Sequence, residues 1–136
     1  MSLNGETIPN SGYVLASSIG GDGILCRTDR SDCCRASDNP NGGAQGHWYR
    51  PNGDEVDSFT MENEKHSTRN FFARNRDRGI VRLYPNGNPS ERGQFRCEIP
   101  NASGNTETHF VNIGECLHIL KAHGYSYLLH PCIILI

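Results

Sequence analysis

The sequence predicts an all-β fold: two antiparallel sheets packed as a sandwich, followed by a short irregular or helical C-terminal tail. Three observations predict it. Glycine is frequent, at 15 of 136 residues, and Asn-Gly, Pro-Asn-Gly and Gly-Gly recur along the chain. Such steps punctuate many short strands better than they build helices. The stretch Gly93-Gln94-Phe95-Arg96-Cys97-Glu98-Ile99 sends Phe95, Cys97 and Ile99 to one side, the period of a strand that buries one face. Residues 79–84 repeat that period, with Val81 and Leu83 opposite Ile80, Arg82 and Tyr84.

Taken in order, residues 1–12 are polar and read as a loose N-terminus. Tyr13-Val14-Leu15-Ala16 reads as a first edge strand. Gly20-Gly21-Asp22-Gly23 is a turn, and Ile24-Leu25-Cys26-Arg27 is the strand after it. A long loop rich in Asp, Asn, Ser and Gly follows over residues 29–46 and contains the adjacent pair Cys33-Cys34. His47-Trp48-Tyr49-Arg50 is the next strand. Pro51-Asn52-Gly53-Asp54 closes it as a turn, because proline fixes φ and Asn-Gly tolerates positive φ. Glu55-Val56-Asp57 is a short strand, and residues 57–70 have no legible period. Phe71-Phe72-Ala73-Arg74, residues 79–84 and residues 93–99 are strands, with Pro85-Asn86-Gly87-Asn88-Pro89 as a break. After the turn Pro100–Asn105, residues 106–113 alternate again, with His109, Val111 and Ile113 on one side. The sandwich domain is therefore expected over 13–113, with Trp48, Leu83 and Phe95 in its core.

Residues 114–136 change character. Cys116 to His123 has the apolar stripe of a short helix, and the chain closes on Pro131-Cys132-Ile133-Ile134-Leu135-Ile136. The apolar run is about a dozen residues, short of the roughly 20 that a membrane helix needs. The tail is expected to be a truncated membrane segment or an artefact of gene prediction, and a membrane is a partner only in the first case.

Composition narrows the function. A net charge of −2 gives no general affinity for nucleic acid or anionic lipid. The basic run Arg69, Arg74, Arg76, Arg78 and Arg82 is interleaved with Phe71 and Phe72, but Asp57, Glu62, Glu64 and Asp77 lie close by. An ordinary charged sheet face is expected there, and no nucleic acid. Six cysteines in a chain of this size favour an oxidising compartment. The first residues, Met1-Ser2-Leu3-Asn4-Gly5-Glu6, have neither the basic start nor the apolar run of a secretory signal. A fragment of a longer precursor, or a shortened gene model, is the expectation that reconciles the two; the alternative is an intracellular protein for which the cysteine argument fails.

The framework resembles immunoglobulin variable-like domains over about residues 10–113. Leu25-Cys26, Trp48-Tyr49-Arg50, Val81-Arg82-Leu83 and Gly93-Gln94-Phe95-Arg96-Cys97 carry the resemblance. More closely, Leu25-Cys26-Arg27-Thr28-Asp29, Cys33-Cys34, Trp48-Tyr49-x-Pro51-Asn52-Gly53, Arg74-Asn75-Arg76 and Phe95-Arg96-Cys97-Glu98-Ile99-Pro100 are similar to uncharacterised immunoglobulin-like modules of sponge surface proteins. The resemblance implies an inter-sheet disulfide between Cys26 and Cys97, with Trp48 packed on it; two buried free thiols are the other reading. It also implies an acidic residue ahead of Gly93, most nearly Glu91, paired with an arginine, for which Arg74, Arg76 and Arg78 compete. Phe95 stands where the family has a tyrosine and lacks the hydroxyl of the tyrosine corner.

The functional expectation is an extracellular or cell-surface recognition module of a receptor or adhesion protein, without catalysis or cofactor, taking a protein or glycan ligand. Its contact surface is one of two. The first is a set of loops at one end of the sandwich (29–46, 51–54 and 100–105). The second is the sheet face carrying the strands of Trp48, Phe95 and residues 106–113. The alternatives are a structural spacer in a multidomain ectodomain, or a small metal or redox protein using Cys116, His118, His123, His130 and Cys132. Those tail residues match no familiar zinc spacing. Cys33 and Cys34 are candidates for a second disulfide. Neighbouring cysteines rarely bond each other, and one of them could pair with a cysteine elsewhere or on another chain; the four remaining cysteines, Cys33, Cys34, Cys116 and Cys132, allow three connectivities, among which the sequence does not choose. Asn101-Ala102-Ser103 is a glycosylation sequon, whereas proline excludes Asn88-Pro89-Ser90. No Gly-x-Ser-x-Gly, phosphate-binding loop, His-Glu-x-x-His or dinucleotide fingerprint is present.

Overall fold

The computed structural model describes residues 1–34, 44–58, 71–85, 91–115, 118–122 and 125–128, the last two ranges by backbone alone. The described residues are all-β apart from one 3-10 turn, Ala16–Ser18. The strands are β1 (Ser2–Leu3), β2 (Glu6–Thr7), β3 (Gly12–Leu15), β4 (Ile24–Arg27), β5 (His47–Tyr49), β6 (Phe71–Asp77), β7 (Ile80–Pro85), β8 (Gly93–Pro100), β9 (Thr106–Gly114), β10 (His118–Ala122) and β11 (Tyr125–Leu128). One sheet has five strands in the order β2-β1-β4-β7-β6. A second has four, in the order β3-β9-β8-β5. Neighbouring strands are antiparallel in both, except that β3 runs parallel to β9, Gly12 beside Val111 and Leu15 beside Gly114.

Alternation decides what goes inside. β4 points Ile24 and Cys26 inward, β7 Val81 and Leu83, β8 Phe95, Cys97 and Ile99, and β9 Val111 and Ile113. These join Trp48, Phe71 and Ala73 in one buried cluster between the sheets. A disulfide from Cys26 to Cys97 crosses that cluster, with Cα atoms 6.6 Å apart and a sequence separation of 71. Closing a loop of that length stabilises by roughly 2–4 kcal/mol. Trp48 sits opposite Cys97 in the β5–β8 ladder. Its indole nitrogen donates to the Val81 carbonyl at 3.2 Å, so the largest core residue leaves no orphaned polar atom. The Phe95 ring packs edge-on against Phe71, centroids 5.0 Å apart, so this corner is held by an apolar contact.

Three expectations change. Residues 1–12 are not a loose leader: Ser2 pairs with Leu25 of β4, Ser2 and Leu3 pair with Thr7 and Glu6, and Leu3 packs on the core. Glu55 joins Tyr49 through a single isolated bridge rather than a strand. The tail segment read as a helix is extended. β10 pairs antiparallel with β11, because a short apolar run fits either period. Cys116, His123, His130 and Cys132 lie outside the described residues, as do residues 35–43 of the long loop.

Candidate binding surface

The four-stranded sheet turns one face to the core and the other outward. Since Trp48 points in, His47 and Tyr49 of β5 point out. Since Phe95, Cys97 and Ile99 point in, Gln94, Arg96 and Glu98 of β8 point out. The same parity sends Thr108, Phe110 and Asn112 of β9 outward. Register then sets these side chains in rows across the sheet. Tyr49 faces Arg96, and Arg96 faces Phe110. His47 faces Glu98, and Glu98 faces Thr108. Gln94 faces Asn112, which also faces Tyr13 of β3. Tyr13, 42% exposed, is the most exposed large apolar side chain among the described residues.

The middle row is pre-arranged. The Arg96 guanidinium carbon lies 4.3 Å from the Tyr49 ring centroid, a cation–π contact. Its Nε is 3.1 Å from a Glu98 oxygen, an ion pair without hydrogen-bond alignment. His47 Nδ1 is 2.5 Å from Glu55 Oε1 at the sheet edge. Partial burial, with the negative charges of Glu98 and Glu55, raises the pKa of the Tyr49 phenol; Arg96 offsets part of the rise. The phenol therefore stays protonated and able to donate. The face combines aromatic rings, a stacked arginine and polar ends, the residue types that carry binding energy at protein interfaces. Sequence patterning marked this sheet face, but the opposition of Tyr49, Arg96 and Phe110 depends on register. Parity alone does not determine it.

The loops divide between two ends. Residues 28–34, 77–80 and 100–105 lie together. Thr28 donates its backbone N–H to the Gly79 carbonyl at 2.8 Å and its hydroxyl to the Pro100 carbonyl at 2.5 Å. Asp29 Oδ1 accepts the Ala102 N–H at 2.9 Å. The turn 51–54 belongs to the other end. β5 runs antiparallel to β8, so residues beyond Tyr49 come to the start of β8, where Pro51 abuts Gly93. Among the described residues, 28–34 and 100–105 thus share one end of the sheets, and 51–54 lies at the other.

Cys33 and Cys34 are bonded to each other, across a cis peptide, and both are buried. The Cys33 carbonyl accepts the Gly79 N–H, and the Cys34 N–H donates to the Asp77 carbonyl at 3.1 Å, so the pair is seated on the β6–β7 turn. Asn101 opens the β8–β9 turn with Ala102 to Asn105 exposed beyond it. Glu91 does meet an arginine, but the partner is Arg50 at the end of β5. It was not among the arginines singled out in the sequence. The basic run is threaded with acids: Arg82 Nε donates to Asp77 at 2.6 Å, and its Nη1 donates to the Asp22 carbonyl at 3.0 Å. Leu83 and Phe95 are both fully buried. Comparison with protein-family models, curated proteins and solved structures returns no match.

Proposed function

We propose that the chain is an extracellular recognition module of the immunoglobulin variable-like class, taking a protein or glycan ligand on the outer face of its four-stranded sheet. The reading assigns it no catalysis and no cofactor. Strand order supports the class. β1, β4, β7 and β6 fall in the order A, B, E, D of such a sandwich, and β9, β8 and β5 in the order G, F, C, with β3 beside β9. The tryptophan on an inter-sheet disulfide supports it too. The observation that carries the binding surface is the row Tyr49–Arg96–Phe110, an arginine stacked on one ring and facing another on a sheet face.

The test is a screen of the full chain, secreted with an added signal and multimerised, against arrays of extracellular proteins and glycans. Tyr49→Ala and Arg96→Ala are screened beside it, with circular dichroism to verify folding. A bound array member that each substitution weakens by about tenfold or more is expected, in the range of interface hot spots. Disulfide-bonded protein that binds nothing would favour a spacer. Binding indifferent to both substitutions would remove the sheet face from the proposal.

A further inference from the structure

We propose that Asn101 carries an N-linked glycan that stands over the loop end of the sandwich and leaves the outer sheet face as the surface open to a ligand. The inference rests on the extracellular reading above. Asn101-Ala102-Ser103 is an acceptor triplet, and the structure supplies the context that a triplet alone lacks. Asn101 is the first residue of the β8–β9 turn. Its N–H donates to the Asn105 carbonyl at 2.8 Å, and its carbonyl accepts the Gly104 N–H at 3.2 Å. Its side-chain Oδ1 accepts two further N–H groups, from Ser103 and Asn105, each at 3.0 Å. The oxygen end of the amide is therefore fixed to the turn, and Nδ2 makes no hydrogen bond among the described residues. Residues 102–105 are exposed. A sugar on Nδ2 costs the turn none of its bonds.

The transfer itself is ordinary chemistry of the secretory pathway. Nδ2 attacks C1 of an oligosaccharide held on a lipid pyrophosphate. The Nδ2–C1 bond forms, the C1–O bond breaks, the pyrophosphate leaves with the electron pair, and the amide gives up one proton to the transferase. What this chain decides is where the sugar then lies. Ala102 is tied to Asp29 at 2.9 Å, so the root of the glycan is beside the loop 28–34, including the exposed Arg30–Asp32 pair. Arg96 lies down the same strand, about 16 Å away at the rise of an extended chain. A glycan rooted at Asn101 covers the loops and spares the row of Tyr49, Arg96 and Phe110.

The test uses the full chain secreted from a eukaryotic host with an added signal. Beside it is Ser103→Ala, which removes the acceptor hydroxyl and leaves Asn101 and every backbone bond of the turn. The expected results are a mass loss on peptide-N-glycosidase treatment, with Asn101 converted to aspartate, and no such loss in Ser103→Ala. Trypsin is expected to cut after Arg30 more slowly in the glycosylated chain than in Ser103→Ala, while radical footprinting of Tyr49 and Phe110 is the same in both. Secreted protein with the Cys26–Cys97 link and an unmodified Asn101 would overturn the glycan and leave the recognition reading standing. A glycan that does not change cleavage at Arg30 would overturn the shielding. Secreted protein without the Cys26–Cys97 link would count against the reading on which the proposal rests.

Discussion

Arg50 and Glu91 form an ion pair in which the arginine side chain is 3% exposed and the glutamate 22%. Arg50 also donates Nη2 to the Phe71 carbonyl at 3.3 Å, so one guanidinium ties the end of β5 to the segment before β8 and to the start of β6 in the other sheet. Desolvating both charges is costly, and the pair offsets that cost only while it is complete. Arg50→Ala is therefore expected to destabilise the domain by about 3 kcal/mol, because it strands a mostly buried carboxylate and a carbonyl. Arg50→Met with Glu91→Leu is expected to cost less than Arg50→Ala alone, since no charge is left unpaired. Urea unfolding of the two variants against the parent checks the order. A double variant less stable than Arg50→Ala would mean that the pair itself stabilises the fold.

The loop end depends on Gly79. Its φ is +69°, in the left-handed region, and a Cβ there would sit 2.9 Å from the Thr28 carbonyl oxygen. Glycine is the residue that tolerates both conditions. Gly79→Ala is expected to cost about 1–2 kcal/mol for the dihedral alone, and to loosen the contact that Thr28 makes with Gly79. Amide exchange at Thr28 should accelerate more than exchange at Arg50 and Gly53, whose turn lies at the other end of the sheets. Equal acceleration at both places would mean that the loss is global and the turn has no special role.

What could be read in advance follows from how local each signal is. β8 was legible because residues 93–99 alternate and carry a cysteine, and Trp48 because the resemblance demands a tryptophan on the disulfide. β1 and β2 were not, since two-residue strands have no period to detect; they exist because Ser2 finds Leu25. Arg50 was missed as the partner of Glu91 because ion pairs between distant segments leave no mark in the sequence. The Cys33–Cys34 bond is one of the connectivities that four cysteines leave open, and no local signal selects it. The candidate surface was legible as a face and not as a row: alternation says that Tyr49, Arg96 and Phe110 point outward, while only the hydrogen-bonded register sets them side by side.

That row also gives the domain a pH dependence at its alkaline edge. The Tyr49 phenol has a raised pKa, first from burial and then from Glu98 and Glu55, against the opposing charge of Arg96. A phenol that holds its proton more tightly when folded binds more protons in the native state than in the unfolded chain as pH climbs past the ordinary phenol value of about 10. Stability therefore has its full Tyr49 contribution below that value and loses it as pH rises through the folded pKa. Tyr49→Phe has no proton to lose, so its stability should fall less steeply over the same alkaline range. Melting temperature followed against pH for both proteins checks the sign, and tyrosinate absorbance should show one fewer late-titrating phenol in the variant. Parallel melting curves would mean that Arg96 fully balances burial and the two carboxylates, so that the phenol holds its proton equally well in the folded and unfolded chain.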